Sequence, residues 1–226
     1  MIQELITQLE IEFEKNRNEH ESMGMARYMK NRFVYFGIKK PIRAEIQKKW
    51  FNAIPFDLTR DQRWELVLEL WQKDQREFHY TAMDWMSKWK TNDIHPSDSE
   101  QLEFLLTNNS WWDSVDNLAS NYLSRYMAIF PDQKEKLVAN WRNGENMWLR
   151  RSCLIFQLKY YHQTDFNLLK DLIQQFKFEK EFFIQKAIGW SLRQYAKTEP
   201  ELVRLFVDES GIQGLARREA LKHLSK

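Results

Sequence analysis

A small residue recurs in the middle of successive apolar segments, at intervals of 37, 34, 34 and 33 residues along the chain. The segments align on Ala82, Ala119, Cys153, Ala187 and Ala220. Each segment has the 3.6-residue apolar period of an amphipathic helix, and a shorter helical segment precedes it. Helix pairs at such a period are typical of an α-solenoid, in which each pair buries its apolar face only against its neighbours. We therefore predict an all-α fold, a single domain over residues 1–226 that forms a curved solenoid of HEAT-like repeats with a basic concave face.

Helix boundaries are indicated by capping residues and prolines. Gly37 is predicted to end one helix and Pro41 to begin the next. Further starts are predicted at the caps Thr59, Ser97 and Ser110 and at the prolines Pro131 and Pro200. About a dozen helices with short links follow from this punctuation, and no segment shows the alternation of a strand.

The composition narrows the class of protein. The only cysteine, Cys153, lies in the apolar run "SCLIFQL", which favours core packing over a catalytic thiol and excludes a disulfide framework. The N-terminal segment lacks the basic start and apolar run of a signal peptide, and no window approaches 18 consecutive apolar residues. A soluble, cytoplasmic monomer that makes no contact with membranes is expected.

Basic residues are concentrated in one part of the chain. The net charge is only +2, but residues 27–49 contain eight basic residues and one acidic residue. Such a local excess is typical of a surface that faces a polyanion, although a solvated helix face without a partner would show the same pattern.

The stretch "SWWDSVD" at 110–116 contains two tryptophans and two aspartates. At 100° per residue Trp111 belongs to the apolar stripe of a helix, together with Val115, Leu118 and Tyr122. Ser110 and Asp113 have the spacing of a capping box, which gives Asp113 a structural role. Trp112 and Asp116 remain, as i and i+4 neighbours on the flank of the stripe. They form either a functional indole–carboxylate pair, or a surface tryptophan beside an acid that pairs with a base on the next helix.

Neighbouring repeats supply companions for this pair. Arg151 lies two residues before Cys153 in one aligned helix, and Trp190 lies three residues after Ala187 in the next, where it could also be core. The sequence contains no GxGxxG, P-loop, HExxH or CxxC motif, and its five histidines are scattered. Neither a metal site nor a cofactor is therefore predicted.

Four segments resemble the bacterial AlkD family of DNA alkylation repair glycosylases, and the likeness extends over nearly the whole chain. They are "MARYMKN" (25–31), "SWWDSVD" (110–116), "WLRRSCLIFQLKYY" (148–161) and "EFFIQKAIGWSLRQYAKT" (181–198). The resemblance implies a HEAT-like solenoid that removes N3- and N7-alkylated purines from double-stranded DNA. Arg150 stands where the family often has glutamine.

The resemblance also assigns roles to residues of this chain. It implies that Asp116 is the catalytic carboxylate, that Trp112 and Trp190 are the active-site indoles, and that Arg151 contacts the DNA backbone. Tyr28 is expected beside the lesion. Further DNA contacts are expected from Arg27, Lys30, Lys159 and Arg193.

One carboxylate suits this chemistry. An N3- or N7-alkylated purine is cationic and becomes neutral on departure, so no general acid is needed, unlike in ordinary glycoside hydrolysis. The acid has only to stabilise the oxocarbenium-like sugar and orient a water. The resemblance implies a monofunctional N-glycosyl hydrolase of base excision repair that leaves the base outside any pocket, and we expect such an enzyme to cut neutral lesions poorly. The alternatives are a non-catalytic solenoid that binds DNA structures and a protein-binding scaffold.

Overall fold

The computed structural model describes residues 1–224, and helices account for the regular structure of this range apart from one isolated bridge between Val34 and Gln75. The all-α repeat fold predicted from the sequence is confirmed. The chain divides into two compact units, Met1–Asp93 and Ile94–Lys226. None of the described helices is long and apolar enough to span a membrane.

The first unit contains five α-helices: α1 (Ile2–Lys15), α2 (Glu19–Tyr28), α3 (Lys40–Ala53), α4 (Arg60–Trp71) and α5 (Arg76–Met86). A short 3-10 turn at Thr91–Asp93 follows them. The second unit contains α6 (Ser99–Thr107), α7 (Trp112–Leu118), α8 (Ser124–Ile129), α9 (Pro131–Asn143), α10 (Met147–Ile155), α11 (Phe166–Phe176), α12 (Phe182–Tyr195), α13 (Pro200–Glu209) and α14 (Gly214–Ala220). Its 3-10 turns are Pro96–Asp98 and Tyr161–Gln163, and a π-helical segment, Ala119–Leu123, joins α7 to α8.

The aligned small residues of the repeat are all buried, with exposures of 0 to 1%. In the second unit Cys153, Ala187 and Ala220 lie on α10, α12 and α14, the second helix of each pair, and these helices contact one another in that order. The prediction that a shorter helix precedes each of them is wrong for α10 and α14, because α9 and α13 are longer than the helices that follow them. A small side chain at the contact lets neighbouring helices approach closely, which explains why the repeat is marked by alanine and cysteine. Cys153 is core, as predicted, and burial raises the pKa of its thiol to about 12.

Several predicted helix starts are confirmed. Pro41 lies in the first turn of α3, Pro131 and Pro200 begin α9 and α13, and Thr59 caps α4 in a capping box with Gln62. Proline suits these positions because the first N–H groups of a helix have no intrahelical partner.

Two other predicted caps are wrong. Ser97 lies inside the 3-10 turn before α6, and that turn is capped by His95. Ser110 donates its hydroxyl proton to the carbonyl of Leu106 at 2.7 Å, so it closes α6 instead of opening α7. Asp113 therefore does not form the predicted capping box, and Trp111 takes the cap position with its N–H bonded to the hydroxyl of Ser114 at 3.4 Å.

Gly37 does not end a helix, because α2 already ends at Tyr28. It lies in the extended segment before α3 with a φ of +85°, and a Cβ built there would lie 2.0 Å from the carbonyl oxygen of Asn18. The buried carboxylate of Glu77 anchors this segment by accepting the N–H groups of Phe36, Gly37 and Ile38 at 2.9 to 3.1 Å. A tertiary contact, which local sequence does not reveal, therefore determines the position of this glycine.

Candidate active site

Trp112 and Asp116 lie one turn apart at the start of α7, where the sequence places them as i and i+4 neighbours. The apolar stripe predicted on the same helix is buried, with Val115 at 0%, Leu118 at 1% and Tyr122 at 3% exposure. The helix widens into its π-helical segment three residues after Asp116, and the hydroxyl of Ser120 donates to the Asp116 carbonyl at 2.7 Å. The core thus fixes α7, and Trp112 and Asp116 project from its flank.

The carboxylate of Asp116 is paired with the guanidinium of Arg151 on α10. Arg151 Nε donates to Oδ1 at 2.7 Å and its Nη2 donates to Oδ2 at 2.8 Å, which is the bidentate geometry of a strong ion pair. Arg151 Nη1 donates to the carbonyl of Phe183. The Arg151 side chain is 4% exposed and that of Asp116 is 18% exposed, so the acid is the more accessible member of the pair.

Burial raises the pKa of Asp116 above its ordinary value, and the hydrogen bonds and charge of Arg151 oppose this rise. Each carboxylate oxygen has two lone pairs, and the bidentate pair uses one on each. Asp116 therefore retains acceptor capacity for a water or a sugar after it has bound Arg151.

An aromatic cluster supports this ion pair. The rings of Trp111, Trp148 and Phe183 pack against one another with centroids 5.1 to 5.7 Å apart. Trp111 is half-buried in this cluster and lies at the cap of α7, so it does not continue the helical stripe as predicted. The cluster fixes Phe183, whose carbonyl binds Arg151, and so it determines indirectly where Asp116 stands.

Asp116 opens onto a cleft of about 290 Å³ within the second unit. The cleft is lined by Trp112, Asp116, Arg151, Phe182, Phe183, Lys186, Trp190, Arg193 and Glu219. The structure thus brings five of the predicted site residues together: Trp112, Asp116, Arg151, Trp190 and Arg193. Trp190 is half-buried on the wall of the cleft, so it is not part of the core.

Four residues of this cleft were missed in the sequence: Phe182, Phe183, Lys186 and Glu219. Two of them carry a signal, because Phe182 and Lys186 precede Trp190 on α12 at intervals of four residues and so share its face. Glu219 comes from α14 and has no such relation to Asp116 or Trp190 in the sequence.

Arg151 is less accessible than the other cations of the cleft, and its predicted contact with the DNA backbone remains a prediction. Its guanidinium is buried and bound by Asp116 and by the Phe183 carbonyl. Lys159 lies in the turn after α10, where it is exposed and donates to the side-chain oxygen of Asn121. It does not line the cleft.

Tyr28, Arg27 and Lys30 belong to the first unit, and all three are exposed, Tyr28 by 69%. Arg27 and Tyr28 end α2, and Lys30 and Asn31 follow with positive φ values of 57° and 54°. Two successive non-glycine residues in the left-handed region are unfavourable, by about 1–2 kcal/mol each. The predicted DNA contacts of these side chains remain predictions.

The basic residues of segment 27–49 are exposed, with one exception. Arg43 is 9% exposed, 3.8 Å from the carboxylate of Asp84, and burial lowers its pKa. Seven of the eight basic residues therefore remain at the surface of the first unit.

Comparison with known proteins agrees with this architecture. Residues 9–224 match the model of a family whose members are DNA alkylation repair enzymes. The chain is similar to a solved structure from Enterococcus faecalis described as a predicted DNA alkylation repair enzyme, with 32% identity over 93% of this chain and 97% of that one, and a TM-score of 0.83. No curated protein sequence matches the chain.

Two more distant structures, both from Streptococcus mutans, share the fold. One is described as AlkD2, with 15% identity over 91% of this chain and all of that one, and a TM-score of 0.61. The other is the smu.31 protein of strain UA159, with 17% identity over the same shares and a TM-score of 0.60.

Proposed function

This chain belongs to the DNA alkylation repair enzyme family, the AlkD-like family that its sequence resembles, and we propose that it is a monofunctional DNA glycosylase. Its substrates are N3- and N7-alkylated purines in double-stranded DNA, and the reaction hydrolyses the N-glycosidic bond. The observation that supports this most directly is the position of Asp116, an acid paired with a buried arginine yet accessible in a cleft walled by Trp112 and Trp190.

The reaction needs no proton donor for the leaving base. As the bond from C1′ to the purine nitrogen breaks, its electron pair neutralises the cationic base, and positive charge develops on the sugar. Asp116 stabilises that charge and orients a water towards C1′, accepting a proton as the C–O bond forms. Burial raises the pKa of Asp116 and so makes it a better proton acceptor than an ordinary aspartate, while the hydrogen bonds and charge of Arg151 favour its ionised form.

The indoles serve the same step. Trp112 and Trp190 present aromatic surface in the cleft to the sugar and to the positive charge that develops on it. A cation over an indole face is stabilised by about 0.5–2 kcal/mol. Arg151 acts in our proposal as a positioning residue for Asp116, and the contact with the DNA backbone passes to more exposed cations such as Arg193.

An excision assay tests the proposal. Purified protein is incubated with duplex DNA that carries 7-methylguanine or 3-methyladenine, and released bases are separated and quantified. A matched duplex with the neutral base hypoxanthine is the control. We expect release of both cationic bases and little release of hypoxanthine. Tight binding to alkylated duplex without release of any base would refute the enzymatic proposal and favour a non-catalytic DNA-binding solenoid.

A further inference from the structure

A second acid, Glu219 on α14, lines the cleft and connects two cations of α12. Its Oε1 lies 3.0 Å from Nζ of Lys186, and its Oε2 accepts a hydrogen bond from Nη1 of Arg193. Arg193 Nη1 also donates to the backbone carbonyl of Glu219 at 3.1 Å. The three side chains, which we call the Glu219 cluster, all border the cleft that contains Asp116.

The backbone holds Glu219 close to α12. A Cβ built on Gly189 would lie 2.3 Å from the Cβ of Glu219 and 2.8 Å from the carbonyl oxygen of Ala216, so only glycine permits this approach of α14. Hydrogen bonds from Lys186 and Arg193 lower the pKa of Glu219 to about 2, and the carboxylate is therefore ionised at every pH at which the protein would be assayed.

The cations of the Glu219 cluster retain donors for a further ligand. Lysine has three N–H donors and arginine has five, and both Arg193 bonds to Glu219 use Nη1. The side chains of Lys186 and Arg193 are 38% and 22% exposed, whereas that of Arg151 is 4% exposed and committed to Asp116. Among the cations that line the cleft, Lys186 and Arg193 are therefore the ones that can reach a DNA phosphate.

We propose that Glu219 is a positioning residue that holds Lys186 and Arg193 as a two-cation clamp on the backbone phosphate of the alkylated nucleotide. The inference rests on the proposed function, because it takes DNA as the ligand. Phosphate contacts fix the register of a nucleic acid on a protein, and here the register determines whether C1′ lies opposite Asp116. Glu219 also offsets one of the two added positive charges, which limits attraction to undamaged DNA.

The first test addresses the clamp. Affinity for a duplex without lesions is measured against salt concentration for the wild type and for Lys186→Met, a partly exposed position where folding should be unaffected. Loss of one phosphate contact should make the slope of log K against log[salt] shallower by about 0.9. The control is Lys170→Met on α11, where the lysine lies over the Phe166 ring and away from the cleft, and where no change in slope is expected. An unchanged slope for Lys186→Met would overturn the clamp.

The second test separates positioning from simple attraction. Glu219→Gln removes the acid but leaves both cations, so affinity for the duplex without lesions should stay equal or become tighter. Misplacement of a reacting group by about 1 Å can reduce a rate by about two orders of magnitude. A smaller displacement of the bound nucleotide should therefore reduce single-turnover release of 7-methylguanine about tenfold. The control is Asp208→Asn, which breaks the exposed ion pair with Arg217 (2.6 Å) at a position outside the cleft.

The outcomes are distinct from those for the proposed function. The positioning role of Glu219 would be overturned if Glu219→Gln released 7-methylguanine at the wild-type rate. It would also be overturned if the release rate, the affinity for DNA and the melting temperature all fell in parallel. In both cases excision by the wild type would be unaffected. Absence of excision by the wild type would instead refute the glycosylase, and the salt slopes would still test whether Lys186 binds phosphate.

Discussion

The pair of Asp116 and Arg151 should be strongly coupled in stability. The Arg151 side chain is 4% exposed and donates two hydrogen bonds to Asp116, so replacing either residue leaves a charge without its counter-charge in a largely water-excluded environment. Removing one partner of a buried pair costs about 3–5 kcal/mol, and we expect about 3 kcal/mol here because Asp116 borders the cleft and is partly solvated. For a chain of this length that loss corresponds to a decrease of about 6–12 °C in melting temperature.

A double-mutant cycle measures this coupling. The variants are Arg151→Met, Asp116→Asn and the double variant, unfolded by heat and by urea. The double variant has no buried charge left at the pair, so its loss should be at least about 2 kcal/mol smaller than the sum of the single losses. Single losses that add to within about 0.5 kcal/mol would show that the two side chains do not depend on one another, and would refute Arg151 as the positioning residue of Asp116.

Three further expectations concern pH and packing. Because burial raises the pKa of Asp116, the rate of base release should fall with decreasing pH at an acid limb above the ordinary aspartate value of about 3.9, and a limb at or below that value in the pH–rate profile would contradict this. Gly189→Ala should lower the free energy of unfolding by about 1–3 kcal/mol, because the new Cβ would clash with α14. The control Gly24→Ala has open space around its Cβ on α2 and should raise the free energy of unfolding by up to about 1 kcal/mol. Equal effects of the two variants in urea unfolding would contradict the close approach of α14 to Gly189. Glu77→Gln should lower the free energy of unfolding by about 3 kcal/mol and speed hydrogen exchange of amides 36–38, because the single amide oxygen of glutamine cannot accept all three N–H groups. Unchanged exchange at these amides would contradict the role of Glu77 as their anchor.

Local sequence rules predict much of this fold because helix pairs are short-range structures. The repeat of small residues marks the contacts between neighbouring helices, and prolines mark starts such as that of α9, where the reason is local. Gly37 was misassigned because a tertiary contact, the approach of Asn18, fixes it, whereas Ser110 was misassigned because its hydroxyl bonds back to the Leu106 carbonyl in the last turn of α6.

In the candidate site, too, some positions follow from local helical geometry and others depend on tertiary contacts. Trp112 and Asp116 are neighbours on one helix, so helical geometry alone places them side by side. The burial of Arg151 could not be read from its own helix, because it results from the Asp116 carboxylate and the Phe183 carbonyl on two other elements. Glu219 is more distant still, since its place at the cleft depends on the packing of α14 against Gly189.

The role of Asp116 is measured directly by the rate at which Asp116→Asn releases 7-methylguanine from duplex DNA in a single turnover. Asp208→Asn, an exposed acid that pairs with Arg217 and does not line the cleft, is the control, and binding of each variant to alkylated duplex is measured in parallel. We predict a rate at least about 100-fold below wild type for Asp116→Asn, with DNA binding retained and the control unaffected. Release by Asp116→Asn within about threefold of wild type would contradict the proposal that this carboxylate stabilises the positive charge that develops on the sugar.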